Sequence, residues 1–186
     1  MTELLVTPLK NLELPKALLS LYRFDLDVAK THFYSSGFEL LLDDDQGLKL
    51  VYSDNEEFLR TIIEFAQADS TGSSYAFWLT KDDKDLSQVP IVVLGSEGEA
   101  HVVAKSLNEL LQLLSLDCEP LLSFDEVCYY IDEDDEPSHK SDEYRKWLEQ
   151  ELHLRSITSE EGDLIVERAR QEYQTEFEDW MSQFIE

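Results

Sequence analysis

The side chains able to do chemistry are few and scattered. Four histidines, His32, His101, His139 and His153, are present, and none stands three or four residues from another. Two imidazoles one helical turn apart would share a face and hold a metal; these would need the fold to bring them together. Ordinary surface or core histidines are the expectation. Cys118 and Cys128 are too few for a disulfide framework and too far apart for a C-x-x-C ligand pair, so both are expected as reduced, buried thiols. No H-E-x-x-H, G-x-S-x-G, G-x-G-x-x-G or Walker sequence occurs. Gly95-Ser96-Glu97-Gly98-Glu99 places its serine one position too early for a nucleophile elbow and reads as a hairpin turn. Glu97 and Glu99 could do acid–base work in a dispersed site, but no nucleophile accompanies them. Asp43-Asp44-Asp45-Gln46-Gly47 puts its glycine one place too early for an EF-hand loop, and its flanks read as strands. No catalytic residue, metal ligand or cofactor is assigned.

Charge says more about partners. The 186 residues carry 41 acidic and 15 basic side chains, a formal net charge of −26. Such a surface repels nucleic-acid backbones and anionic membranes. It favours a basic partner, a cationic ligand or simply high solubility; a nucleic-acid mimic would need acids spaced like phosphates on one surface. Residues 121–186 hold 20 acids and 6 bases, about half of the excess. The longest apolar runs, Ile91–Leu94 and Leu107–Leu116, fall short of the ~20 residues that cross a bilayer. Met1-Thr2-Glu3-Leu4-Leu5 has no basic n-region, and a cytoplasmic protein is expected.

The elements that must position these groups alternate between helix and strand. Residues 1–36 read as helix, loop and helix, with Leu12, Leu14, Leu18, Leu19 and Tyr22 near helical spacing. Asp27 could cap a second helix carrying Val28, Phe33 and Tyr34, with Gly37 as its C-terminal cap. The apolar runs 38–42 and 48–52 flank the Asp/Gly turn and predict a β-hairpin. Residues 54–66 fit both a helix opened by Asp54-x-x-Glu57 and a strand through Ile62–Ala66. Tyr75–Leu79, Pro90–Leu94 and Glu99–Lys105 read as strands, separated by a polar loop and the Gly95–Gly98 turn. Ser106-x-x-Glu109 opens a leucine-rich helix. Asp132–Ser138 is an acidic linker. Beyond it Asp142–Leu152 carries Tyr144, Trp147, Leu148 and Leu152 on one helical face. Thr158-x-x-Glu161 then opens a long helix with Ile165, Ala169, Tyr173, Phe177, Met181 and Phe184 in a stripe and Trp180 beside it.

The segments Ile63-Glu64-Phe65-Ala66, Asp69-Ser70-Thr71-Gly72, Tyr75-Ala76-Phe77-Trp78-Leu79, Pro90-Ile91-Val92-Val93-Leu94 and Gly95-Ser96-Glu97-Gly98-Glu99 resemble the SUKH superfamily, which includes fungal cell-wall regulators and bacterial immunity proteins. The order of strand, glycine turn, aromatic strand, polar loop, strand, glycine turn, strand and helix is what carries the likeness. It spans roughly residues 12–117, is strongest over 62–114, and implies a strand at 61–67 after a short turn at 54–60. It brings no catalytic residues. It implies binding of a protein partner, in bacteria often a cognate toxin.

The expected architecture is α+β: an antiparallel meander of about five strands with packed helices. It would comprise a SUKH-like domain over 1–130, an acidic linker over 131–140 and a C-terminal helical extension over 141–186, packed on the domain. The expected function is a non-enzymatic, immunity-type protein, monomeric or weakly dimeric, that occludes a basic toxin-like partner. The alternative is a regulatory adaptor docking through the C-terminal helices. The candidate partner-binding residues are Asp69, Tyr75, Trp78, Glu97 and Glu99, around a cleft between the aromatic strand and the Gly95–Glu99 turn.

Overall fold

The computed structural model describes residues 13–41, 47–79, 85–132, 134 and 136–185. The Asp43–Gln46 turn, Leu12 and residues 80–84 of the loop after Leu79 lie outside the described residues, as do Glu133 and Asp135 of the acidic linker.

Helix α1 (Lys16–Phe24) runs straight into a wider π-type turn (Asp25–Ala29). Asp27 lies inside that turn and caps nothing. The backbone reverses instead at Lys30, whose φ is 60°. Gly37 has φ +69° but belongs to a later turn, where a Cβ would stand 2.7 Å from Glu119 Cγ and 2.9 Å from the Ala68 carbonyl.

Strand β1 (Glu39–Leu40) follows, then the short helices α2 (Gly47–Val51) and α3 (Glu56–Thr61). The predicted hairpin over 38–52 is therefore half wrong. Its first limb is a strand, but its second limb is a helix. Leu48 and Tyr52, four residues apart, both turn inward while Leu50 is exposed, which is helical spacing. Residues 56–61 resolve as helix rather than turn. The cap is Asn55, whose side chain accepts from the Glu57 and Phe58 amides, not Asp54.

The sheet continues through β2 (Ile62–Gln67), β3 (Ser74–Trp78), β4 (Ile91–Leu94) and β5 (Ala100–Ala104). Its five strands lie in sequence order, each antiparallel to the next, as the meander predicts. The register shifts in β2 at Phe65 and in β5 at Val103, turning consecutive residues to one side. Helix α4 (Leu107–Leu113) follows, capped by Ser106 as expected. Then come β6 (Pro120–Leu122) and β7 (Val127–Tyr129), a separate two-stranded hairpin, and helices α5 (Ser141–Leu152) and α6 (Ser159–Met181). Thr158 and Glu161 form the predicted capping box.

Both faces of the sheet are covered. On one side α1, α4, α5 and the hairpin bury Phe65, Tyr75, Phe77, Val93 and Val103. On the other side α2, α3 and α6 bury Ile62, Ala76, Trp78, Val92, Leu94 and Val102. This explains why Ile91–Leu94 is apolar at every position: no face of the strand meets water. The C-terminal helices complete these two layers. Tyr144, Trp147 and Leu148 of α5 enter the first core; Ala169, Phe177 and Met181 of α6 enter the second. Rings lock the second layer together, with Phe58 stacked on Trp180 at 5.5 Å and Trp78 edge-on to Phe177 at 5.0 Å.

Helix α6 also closes the β5 edge. The Val102 amide donates to Gln174 Oε1 at 2.8 Å, and Gln174 Nε2 donates to the Ala100 carbonyl at 3.3 Å. One side-chain amide thus takes the place of a neighbouring strand.

Candidate functional site

The five residues expected to bind a partner do not form one face. Tyr75 is 1% and Trp78 2% exposed, and they point to opposite sides of β3. Tyr75 packs on Phe38, and its hydroxyl is 2.9 Å from that of Tyr129. Burial, with Tyr129 beside it, pushes the Tyr75 hydroxyl well above the usual tyrosine range. Trp78 lies under Phe177 and Trp180. Neither can offer area to a partner, because helices occupy both sides of the strand. Asp69 is also buried. Its Oδ1 accepts from the Thr71 amide and hydroxyl at 2.8 and 2.9 Å and from the Ser73 amide at 2.9 Å. Burial opposes its charge, but these bonds from Ser73 and Thr71 win and hold its pKa below the ordinary value. Asp69 shapes the turn between β2 and β3.

Glu97 is exposed and Glu99 half-buried, both at the β4–β5 turn. The Glu97 amide donates to Glu99 Oε2 at 3.2 Å. The Tyr52 hydroxyl reaches over from the end of α2 to the Gly95 carbonyl at 2.7 Å and the Glu99 carbonyl at 2.6 Å. The expected cleft shrinks to a cavity of about 60 Å³ between Tyr52, Glu64, Ser74, Leu94 and Ser96. The Ser74 hydroxyl donates to the Glu64 carboxylate within it. That space suits a few water molecules, not a protein side chain cluster.

The histidines lie in the core or at the surface, as expected, and one of the two cysteines departs from expectation. His32 and His139 meet, their rings stacked at 4.4 Å. His101 is buried on β5, and its Nε2 donates to the Ser123 carbonyl at 2.7 Å. Burial holds the His101 pKa below the usual histidine value. Among the described residues no group of three or more His, Cys, Asp or Glu is placed to hold a metal. Cys118 is buried as expected; Cys128 is exposed, which corrects the prediction for that thiol.

Cys128 belongs to the feature that sequence reasoning missed. Strands β6 and β7 turn Pro120, Val127 and Tyr129 inward and Leu121 and Cys128 outward, as cross-strand neighbours. Beyond this pair Phe124 at the turn is 72% exposed and Tyr130 64%, with Ile131 beside it at 41%. The turn is held from behind at two carbonyls, Ser123 by His101 and Asp125 by Arg170 Nη2 at 2.9 Å. A groove of about 460 Å³ separates β7 from α6, lined by Val127, Asp163, Val166, Glu167 and Arg170. Exposed Asp125, Glu126, Asp132, Asp134 and Asp163 border this apolar ground in sequence or in space. The signal available was the pair of short apolar runs around Ser123–Glu126.

No helix among the described residues is long and apolar enough to cross a membrane. The chain matches no family model, and no match is found among curated proteins or solved structures.

Proposed function

We propose that this chain is a non-enzymatic protein-binding module of the immunity type, which binds a basic toxin and neutralises it by stoichiometric occlusion. The observation that carries the reading is the charge surplus. With 41 acids against 15 bases, at least 26 carboxylates have no basic side chain in the chain to pair with. Pairs that do form, such as Lys105 with Glu172 at 3.1 Å and Lys140 with Glu143 at 2.8 Å, lie at the surface and use up bases. A basic partner supplies what is missing, and its approach is accelerated about 10-fold or more at low salt. The resemblance of residues 12–117 to immunity proteins supports the same reading.

The adaptor alternative places docking on the C-terminal helices. Most of their apolar side chains are spent on the two cores, which leaves largely charged outer faces, with Leu164 of α6 exposed among them. The test is capture of host proteins at low salt on the immobilised chain, elution by a salt step and identification by mass spectrometry. A single basic protein, whose toxic activity is abolished at one equivalent of the chain, is the expected result. Subunits of a housekeeping complex would replace this reading with the adaptor. No basic protein released by salt would overturn it.

A further inference from the structure

We propose that the outward face of the β6–β7 hairpin is the docking surface, and that its occupant is a partner segment in which apolar side chains accompany Lys or Arg. This rests on the reading of the chain as a binder of a basic protein, and names the place where binding occurs. Leu121, Cys128, Phe124 and Tyr130 turn to solvent from an element whose other side, at Val127 and Tyr129, lies in the buried core. Nothing in the fold requires those side chains to be apolar, since their inward neighbours Val127 and Tyr129 already anchor the hairpin. Phe and Tyr bring large area at small entropic cost, which suits an interface centre.

Two further features fit that role. The hairpin is braced at both turn carbonyls by His101 and Arg170, so the surface is ordered before a partner arrives. The rim is acidic: Asp125 and Glu126 flank the turn, and Asp163 of α6 lies close enough to Cys128 to act on its thiol. Arg170, the basic group beside them, is already donating to Asp125. An apolar centre with a carboxylate rim selects against a second copy of this chain. That copy would bring the same carboxylates, on a molecule of charge −26, into a contact where water and salt screen poorly. Charge complementarity therefore assigns the surface to a basic segment of another protein.

Cys128 is a native reporter at the centre of this face, while Cys118 is buried. The experiment follows Cys128 alkylation by iodoacetamide in the folded full chain, with two probes. One is a synthetic peptide of alternating Lys and Leu; the other is oligolysine of the same length. The expected result is that the Lys/Leu peptide slows alkylation about tenfold or more at saturation, and oligolysine far less. The double variant Leu121→Ser, Phe124→Ser, altered only at exposed positions, should bind the peptide about tenfold more weakly. Alkylation at the full rate, or unchanged affinity in the variant, overturns the assignment while leaving a basic partner in place. Failure of both probes to bind at low salt overturns the underlying reading as well. Concentration-dependent protection of Cys128 without any probe would make a second copy the occupant, and the proposal would fail.

Discussion

Replacing Gln174 by alanine should unmask the β5 edge. Gln174 is buried, and its amide satisfies the Val102 N–H at 2.8 Å and, through a longer 3.3 Å bond, the Ala100 carbonyl. The variant leaves a buried amide without a partner, which costs about 1–3 kcal/mol. The longer carbonyl bond adds little, so the total should be about 2 kcal/mol. For a chain of this size that lowers the melting temperature by about 4–8 °C. Urea unfolding should show a lower midpoint with an unchanged slope, since the surface exposed on unfolding is the same.

Two further readouts separate this mechanism from a generic loss of packing. Amide exchange at Val102 should accelerate in Gln174→Ala even where the neighbouring Val103 amide stays protected. In Gln174→Glu the new carboxylate can still accept from Val102, but when ionised it cannot donate to Ala100. It would also face Glu178, whose Oε1 now accepts from Gln174 at 2.9 Å. That variant should be less stable than Gln174→Ala at neutral pH and recover as the pH falls, because protonation restores a donor. A loss below about 0.5 kcal/mol in Gln174→Ala, with Val102 exchange unchanged, would refute the idea that this side chain seals the edge.

His101 favours its neutral form because burial lowers its pKa, so the unfolded chain takes up a proton first. Its contribution to stability is complete above the unfolded value of about 6.5 and is lost as the pH falls toward the folded value; His101→Gln should flatten that part of the pH–stability curve relative to the parent. Tyr52→Phe removes the hydroxyl shared between the Gly95 and Glu99 carbonyls and should cost about 1 kcal/mol by denaturant titration, with faster amide exchange in the 95–99 turn. Deleting residues 137–186 should abolish the cooperative thermal transition, because Tyr144, Leu148, Phe177 and Met181 leave both cores; a folded remnant with native circular dichroism would contradict the two-layer account.

The meander was legible because each strand boundary has a local cause. Gly72 and Gly98 sit at positive φ in the turns, and β-branched and aromatic residues fill β3 and β4. The Ser106 and Thr158 caps were legible for the same reason: the hydrogen bonds that start a helix lie within four residues. Helix α2 was not, because Leu48, Leu50 and Tyr52 satisfy a strand alternation as well as a helical face. The contact that decides it, from Tyr52 to the β4–β5 turn, is remote in sequence. The three-residue strands β6 and β7 are too short to show a period at all. The aromatic strand misled for a related reason. Tyr75 and Trp78 are equally compatible with one open face or two covered ones, and the helix that covers Trp78 lies a hundred residues downstream, where it read as an appendage.

That covering limits where the proposed recognition can occur. An antiparallel sheet normally leaves one face to water, and a cleft on that face was the natural place to seek a partner. Here α6 fills the face with Phe177 and Met181 and seals the β5 edge with Gln174, so the sheet has little of that side left to offer. The surfaces that remain belong to peripheral elements; Leu26, Phe33 and Leu50 are exposed near the N-terminus, while Leu121, Phe124 and Tyr130 lie in the part of the chain with 20 acids against 6 bases. Apolar exposure and negative charge therefore coincide on the β6–β7 hairpin and its surroundings. Helix α6, which closes that face of the sheet, is also the element that places Asp163 and Arg170 beside the hairpin. On the proposed reading, folding and recognition use opposite sides of the same C-terminal segment: its apolar stripe closes the core, and its charged side frames the surface left open.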